Sequence, residues 1–322
     1  MAKSFINRVT IEGRLFSHDL KMKKVENKNS ANFGKNFITG TINIAVDEDG
    51  INVIPVHFTY VSPTTKSGSP NQTYQNLESF IEDEFTWTKV GKEDAVCLRV
   101  NTSVDVNDFY STRNEEMVSA KRLEGGFITV LNDPRELSAV ENRNVFTTDM
   151  LITKAVLVEA NEERNLPESL RVSGCVFRTY GDVTVLPAEF KITNPQGIAH
   201  LEGLDISNQN PIFTKVWGHI NFLNTVEEIK EESAWGEAAV RTVPHTVRDW
   251  LITGMNPDNY DYGEDSDQLS FAEVQKAMEN RNIHLAEVKQ NALEYQRNRD
   301  KQQANAFTSP VTAAPTGMNY NF

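Results

Sequence analysis

The sequence predicts an all-β protein that contains two similar copies of one domain. Short segments alternate apolar and polar residues, the period-two pattern of strands with one buried face, and long helical patterns are few. The phrase FITGTINIAVDEDGINVIPVHF at residues 37–58 returns in similar form as LRVSGCVFRTYGDVTVLPAEF at residues 170–190. Similarity at one large offset indicates duplicated domains rather than a solenoid, whose repeats are much shorter.

The first copy, residues 1–132, is predicted to contain three strands, a helix and two further strands. Along the first strand Val9, Ile11 and Leu15 alternate with polar residues, and Asp49-Gly50 supplies a tight turn between the second and third strands. In chain order the predicted elements are strands at residues 8–16, 37–46 and 54–60, a helix at 73–84, and strands at 96–100 and 117–130. This is the element order of an OB-fold, a small Greek-key barrel.

The second copy, residues 145–257, repeats that order. Its predicted elements are strands at residues 150–159, 170–180 and 183–193, a helix at 197–204, and strands at 212–223 and 237–253. The register between the copies is taken from Ile54–Phe58 against Leu186–Phe190 and from Gly40 against Gly174. The sequence therefore predicts two tandem OB-fold-like barrels, with the boundary between residues 132 and 144.

Residues 258–322 differ in composition from both copies. Residues 258–267 form an acidic spacer with five acids and no base. Ser270-Phe271-Ala272-Glu273 is a capping-box pattern, and apolar residues at three- and four-residue steps from Phe271 to Tyr295 predict a helix that either docks onto the barrels or self-associates. Residues 301–322, rich in Ala, Asn, Gln, Thr and Pro, are expected to be a disordered, flexible tail.

Charge and composition limit the classes of function. The net charge of −13 argues against binding of polyanions by the whole surface, but residues 1–35 carry eight bases and three acids, a local charge of 8 − 3 = +5. The N-terminus lacks the apolar stretch of a signal peptide and no run of 18 apolar residues exists, so we expect a soluble, cytoplasmic protein. Cys97 and Cys175 form no CxxC pair and are too few for a disulfide framework, which favours a reducing compartment.

Motifs of catalytic and metal sites are missing from the sequence. It contains no GxxxxGK[ST] loop, HExxH, CxxC pair or GxSxG elbow. Residues 47–50, DEDG, are not followed by the further ligands of a calcium loop and are read as a turn, and the six histidines have no metal-like spacing. We therefore expect no enzymatic activity, no cofactor and no metal.

Two short motifs resemble bacterial and phage single-stranded DNA-binding proteins over about residues 6–130. INRVTIEGRL (6–15) is similar to the opening strand of that family, and KVGKEDAVCLRV (89–100) is similar to its helix-to-strand step. The resemblance implies an OB-fold that coats single-stranded DNA with basic and aromatic side chains. Tandem barrels in one chain are more similar to phage members than to the short bacterial ones. The matched positions are Asn7, Arg8, Gly13, Arg14, Gly91 and Lys92.

The residues themselves favour the same chemistry, because binding without sequence preference needs cations for phosphates and aromatic faces for bases. The candidates lie on the polar strand faces or in the two loops that flank an OB-fold groove. They are Arg8, Arg14, Phe16, Lys21, Lys23, Lys24, Phe33, Lys35, Phe37, Arg99, Phe109, Tyr110 and Arg113 in the first copy, and Phe213, Lys215 and Trp217 in the second. Alternatives stay open: a second layer covers Phe16 and Phe37, the lysines form a solvated loop, or the second set is an interdomain contact.

The sequence thus predicts a non-catalytic protein that coats single-stranded DNA during phage DNA replication, recombination or repair, in the host cytoplasm. The acidic spacer, on a flexible tether, would compete for the groove or recruit replication or recombination proteins. Homo-oligomerisation is left open. The alternative is an OB-based protein-assembly component of a replisome or virion.

Overall fold

The structure, a computed structural model, describes residues 3–161, 167–179, 181–230, 235 and 240–308. It is built mostly from strands and has a C-terminal helix. The strands are β1 Asn7–His18, β2 Lys21–Lys24, β3 Asn36–Ala45, β4 Val53–Val61, β5 Cys97–Ser111, β6 Glu116–Leu131, β7 Asn144–Val158, β8 Ser169–Phe177, β9 Val185–Ile192, β10 Ile212–Lys230, β11 Val240–Met255, β12 Tyr262–Gly263 and β13 Leu269–Ser270. The helices are α1 Gln72–Asp83, α2 Trp87–Val90, α3 Pro195–Glu202 and α4 Phe271–Thr308.

The strand pairings of the first half close on themselves. β1 pairs antiparallel with β3 and with β5, β3 pairs with β4, and β5 pairs with β6. A parallel contact between His57 of β4 and Glu124 of β6 completes the circuit. The inward residues, which include Ile11, Ile42 and Leu98, are fully buried, and Leu77 of α1 packs among them. Burial of alternate residues is therefore what holds the circuit around one core.

The second half repeats this circuit. β7 pairs with β8 and β10, β8 pairs with β9, and β10 pairs with β11. Its closing contact is also parallel, between Lys191 of β9 and Leu251 of β11. Helix α3, between the third and fourth strands, occupies the place that α1 has in the first half.

An antiparallel pairing of β1 with β7 joins the two halves into one eleven-stranded sheet. The register of each strand shifts at the same point, after Leu15 in β1 and after Ile152 in β7, so these two residues correspond. Counting back, Val9 corresponds to Phe146, and these two residues are also paired with each other. The halves are therefore related by a local two-fold axis through this pair.

The predicted register between the copies is wrong. Leu15 pairs with Ile44 and Ile152 pairs with Gly174, so Gly174 corresponds to Ile44 and not to Gly40. The error is four residues.

For the third strand of each copy, the predicted register is wrong by two residues. Ile44 pairs with Ile54 and Gly174 with Ala188, so Ile54 corresponds to Ala188 and not to Leu186. Because side chains alternate with a period of two, both even slips leave each residue on its predicted face.

Several predicted boundaries are also wrong. β5 does not end near residue 100 but continues to Ser111, and β10 continues to Lys230, so the last two strands of each half form a long hairpin. β7 begins at Asn144 rather than Met150. The predicted lysine loop contains a strand, β2, paired with β3. The hairpin of β5 and β6 and the hairpin of β10 and β11 each reach beyond their own half.

The C-terminal segment docks on the second half. The capping box is present: the backbone N–H of Ser270 donates to Glu273 Oε2 (2.9 Å) and the N–H of Glu273 donates to Ser270 Oγ (3.3 Å). The next turns of α4 bury Val274 and Ala277 in an apolar cluster with Phe5. No helix of the described ranges has the length and apolar character needed to cross a bilayer.

Two expectations for this segment are corrected. The acidic spacer is not a flexible tether, because the backbone N–H of Tyr260 donates to the carbonyl of Phe213 (2.7 Å) and their rings meet at 5.1 Å. Residues 301–308 were expected to be disordered and are helical, whereas residues 309–322 lie outside the described residues.

Val274→Asp is expected to destabilise the protein, because it places a carboxylate in the apolar cluster. The cost should be about 2 kcal/mol or more, seen as a fall of several degrees in Tm. Ile283→Asp, on an exposed turn of the same helix (60% exposed), is the matched control and should leave Tm within about 1 °C, since exposed substitutions have small effects. Equal Tm values for the two variants would contradict the docking of α4.

Candidate nucleic-acid interface

The hairpin of β10 and β11, called here the second hairpin, reaches across to the first half. The backbone N–H of Asn224 donates to the carbonyl of Ile51 (2.9 Å), and the N–H of Phe222 donates to Asn52 Oδ1 (2.9 Å). The Asn52 amide in turn donates to Asn221 Oδ1 (3.1 Å). The second hairpin is therefore fixed on the turn that joins β3 to β4.

A groove of about 850 Å³, called here the first groove, lies between the second hairpin and the outward face of β3 and β4. The hairpin contributes Phe222 and Arg248, and the guanidinium of Arg248 lies 5.7 Å from the centre of the Phe222 ring. On the other wall the ring of Phe16 packs at 5.8 Å against Trp87. Aromatic surface and a cation thus line one open cleft.

Neutral hydrogen-bonding groups lie on the wall of the first groove. Thr41 Oγ1 and His57 Nδ1 are 3.0 Å apart, and Asn43 lines the same wall. Burial, and then the charge of Arg122, lowers the pKa of His57. The imidazole is therefore neutral at neutral pH and can offer one donor and one acceptor.

Cations and aromatic rings lie together at the other end of β3. The rings of Phe37 and Tyr60 stack at 4.8 Å with an angle of 28°, and Tyr60 is 45% exposed. Lys23, on the exposed strand β2, pairs in register with Phe37. From Phe37 to Asn43 the strand extends about 20 Å. We call the outward face of β2, β3 and β4, including the first groove, the binding strip.

The first hairpin, β5 and β6, reaches the second half in the same way. The ammonium of Lys121 lies 4.6 Å from the ring centre of Phe190 and 4.8 Å from that of Trp250, and it donates to the carbonyl of Glu189. Burial lowers the pKa of Lys121 to about 8. A second groove of about 540 Å³ opens here, lined also by Arg171.

Four predicted residues belong to the binding strip. They are Phe16, Lys21, Lys23 and Phe37. Phe33 and Lys35 lie exposed in the turn between β2 and β3, next to that face. The sequence pattern located these residues because they cluster along consecutive strands. Lys24 is exposed but pairs with Asn36, so alternation places it on the opposite face of β2.

Other predicted residues are engaged elsewhere. Arg14 Nη1 donates to the carbonyls of Lys92 (2.6 Å) and Glu93 (3.2 Å), and Arg99 Nε donates to Glu12 Oε1 (2.7 Å). These guanidiniums therefore hold neighbouring elements of the first half together.

The predicted loop residues before the fifth strand lie on the first hairpin. Phe109 and Tyr110 belong to β5 itself and not to a loop, and Lys289 of α4 lies 5.2 Å from the Tyr110 ring. Arg113 lies exposed in the turn of the hairpin. None of the three lines either groove.

The three residues predicted in the second copy, Phe213, Lys215 and Trp217, do not form one exposed platform. Phe213 is 3% exposed beneath Phe5 and Tyr260, so its ring offers no face to a base. Trp217 is partly exposed and, like Arg8, pairs with Thr147 of β7. Lys215 pairs with Asp149 in the next row. Arg8, Lys215 and Trp217 therefore lie beside β7, on strands β1 and β10, and not on the strands of the binding strip.

Several positions matched by the family resemblance have structural roles in this chain. The Asn7 amide donates to the carbonyls of Val104 (2.9 Å) and Phe177 (3.0 Å), one in each half. A Cβ at Gly13 would lie 2.0 Å from the carbonyl oxygen of Ala45. Lys92 pairs with Glu48 (2.9 Å). These residues build the fold rather than line the binding strip.

Sequence reasoning missed other residues of the grooves. Tyr60 was not among the predicted residues, but β3 and β4 shift register between Ile38 and Gly40, and the Tyr60 side chain is exposed. Arg248 and Phe222 lie on hairpin ends that cross to the other half, which no local pattern reveals. Among the described residues, no group of three or more His, Cys, Asp or Glu could hold a metal ion.

Comparisons with known proteins give a family and two distant structures. The family model described as YorF matches residues 6–291. No curated protein matches the chain. A deletion mutant of the single-stranded DNA binding protein from Thermus aquaticus has 11% identity and a TM-score of 0.45, over 82% of this chain and 99% of that one. The wild-type protein has 11% identity and a TM-score of 0.44, over 79% and 93%. Likeness at this level does not transfer the neighbours' function.

Replacing Lys121 tests its burial. Because its pKa is about 8 in the folded chain, against an ordinary 10.5, the unfolded chain binds more protons between these values, and stability should rise with pH across that window. Lys121→Met should remove this rise, worth at most about 3 kcal/mol. The measurement is Tm against pH from 7 to 10.5 for both proteins. Parallel curves would contradict a buried ammonium.

Proposed function

The chain belongs to the YorF family, and we propose that it binds single-stranded DNA through the binding strip. One observation carries the proposal. A single outward face combines exposed lysines on β2, the stacked pair Phe37 and Tyr60, and an open groove with Phe222 and Arg248. Cations that contact phosphates and rings on which bases stack are what single-strand binding requires.

Each closed circuit of strands, in this proposal, is an OB-type barrel. The strands that form each circuit support it: three come before the helix and two after it, with the third and fifth in parallel contact. OB-folds bind oligonucleotides on the face of their second and third strands, between the flanking loops. In the first half these strands are β3 and β4, where the binding strip lies.

The shape of the first groove favours single strands over duplex. Its walls place the Phe16 ring and the neutral Thr41–His57 pair on one side and Phe222 on the other. In a duplex the faces and edges of the bases are hidden by stacking and pairing, so only phosphates would reach the cations. An unpaired strand satisfies both kinds of contact. Stacking also explains low sequence preference, since every base has an aromatic face.

The biological setting is part of the proposal. We propose a phage-type protein without enzymatic activity that coats strands exposed during DNA replication, recombination or repair in the host cytoplasm. Single-stranded DNA is its partner, and further partners would be proteins of the same processes.

One observation favours the alternative, an assembly protein of a replisome or virion. Beyond Arg281, which pairs with Asp108 (2.6 Å), α4 exposes Ile283 (60%) and Tyr295 (72%). An exposed helix with apolar residues suits a protein partner. It does not account for the lysines and rings of the binding strip, which is why DNA binding is preferred.

The test of function is fluorescence titration with single-stranded and duplex oligonucleotides at two salt concentrations. Single strands should bind more tightly, and the log–log salt slope should be about −0.7 for each phosphate contact. Salt-independent affinity, or equal affinity for duplex, would contradict the proposal and favour the assembly role.

Tyr60→Ala and Phe37→Ala test the stacked pair. Each should weaken binding by roughly 5- to 160-fold, because one base stack contributes about 1–3 kcal/mol. Phe127→Ala is the matched control, since Phe127 is 78% exposed and lies on β6, outside the binding strip. It should leave affinity unchanged. Equal affinities for Tyr60→Ala and Phe127→Ala, with Tm unchanged in both, would exclude the stacked pair from the site.

A further inference from the structure

Resting on the proposed function, we propose that one DNA strand runs through both grooves and that Arg248 binds its phosphate where the grooves meet. Arg248 lines the first groove beside Phe222 and also lines the second groove beside Lys121 and Arg171. The two clefts are therefore adjacent parts of one surface, although they belong to different halves.

The local two-fold relation gives Arg248 an equivalent in the first half. The closing contacts His57–Glu124 and Lys191–Leu251 correspond. Lys121 precedes Glu124 by three residues, and Arg248 precedes Leu251 by three, so Lys121 and Arg248 occupy matching positions. Each lies on a hairpin that crosses to the other half.

The two cations have different environments. The ammonium of Lys121 is held between Phe190 and Trp250 and bonded to the Glu189 carbonyl, so it fixes the first hairpin on the second half. Arg248 is exposed, and among the described residues its guanidinium interacts only with the Phe222 ring. The symmetry that would give two independent sites is broken at these positions.

The remaining cations of the second groove already have carboxylate partners. Arg171 pairs with Glu189 (3.5 Å) and Lys191 with Asp249 (3.5 Å). No ion pair of Arg248 occurs in the part of the chain that the structure describes. A planar guanidinium without a carboxylate binds phosphate well, often through two hydrogen bonds. Arg248 is thus the point where a strand leaving the first groove is attracted to the second.

A continuous strand gains affinity from its length. Once its first segment occupies the first groove, the second segment binds intramolecularly, at an effective concentration in the millimolar range. Affinity should therefore rise with length until both grooves are filled, and one long strand should bind per chain.

The experiment uses the full chain and a length series of oligothymidylates, with affinity and stoichiometry measured by calorimetry. We expect one long strand per chain, bound at least 10-fold more tightly than strands that fill only one groove. Because Arg171 is already paired with Glu189, Arg171→Gln should weaken long strands less than Arg248→Gln does and leave short ones unchanged. Arg248→Gln should remove most of the gain with length. Arg135→Gln, at a 91% exposed side chain paired with nearby Asp133, is the matched control and should bind like the parent chain.

The outcomes separate the inference from the function. Two long strands per chain, or an equal loss at every length in Arg248→Gln, would overturn the single path and leave single-strand binding intact. Absence of binding at any length would refute the proposed function, and the inference with it. A Tm of Arg248→Gln equal to that of the parent chain shows that the variant is folded.

Discussion

The pairing of β1 with β7 is the constraint on which the rest of the structure depends. It joins the two circuits into one sheet and sets the local two-fold axis at Val9 and Phe146. Equivalent side chains reinforce it from both sides: the Asn7 amide donates to the carbonyl of Val104 (2.9 Å), and the Asn144 amide donates to that of Ile220 (2.7 Å). All these groups are buried, so leaving one unpaired would cost about 1–3 kcal/mol. A different register would move every inward residue of one half.

The two-fold relation also determines where the hairpins go. Each is longer than its own circuit needs, and because the halves face each other across β1 and β7, each hairpin crosses to the neighbouring half. The crossing creates grooves whose walls come from both halves, which neither half forms alone. It also allows the two halves to differ: Lys121 is an internal anchor, whereas Arg248 lies on the surface. The two similar halves thus form one composite surface rather than two equal sites.

Sequence alone predicted most of the strands, most of their faces and part of the binding strip, because these depend on local alternation. Even the wrong register preserved the faces, since its slips were even. Phe213 shows the limit: its alternation placed it correctly on an outward face, but Phe5, Tyr260 and the docked C-terminal segment cover it. Contacts between residues far apart in sequence likewise decide the roles of Arg14 and Arg248. Whether a remote segment covers an outward-facing side chain depends on where that segment packs, and the periodicity of the local sequence does not reveal it.

An acidic chain can offer a basic surface because charges act over short distances in salt. At physiological ionic strength the Debye length is about 8 Å, so carboxylates on other faces are largely screened from the binding strip. The 45 acids of the chain exceed its 32 bases, yet near the fold's junctions acids are matched, as Glu12 is by Arg99 and Glu48 by Lys92 and Arg143. The lysines of β2 show no such partners among the described residues. Local pairing, rather than net charge, therefore decides which face attracts a polyanion.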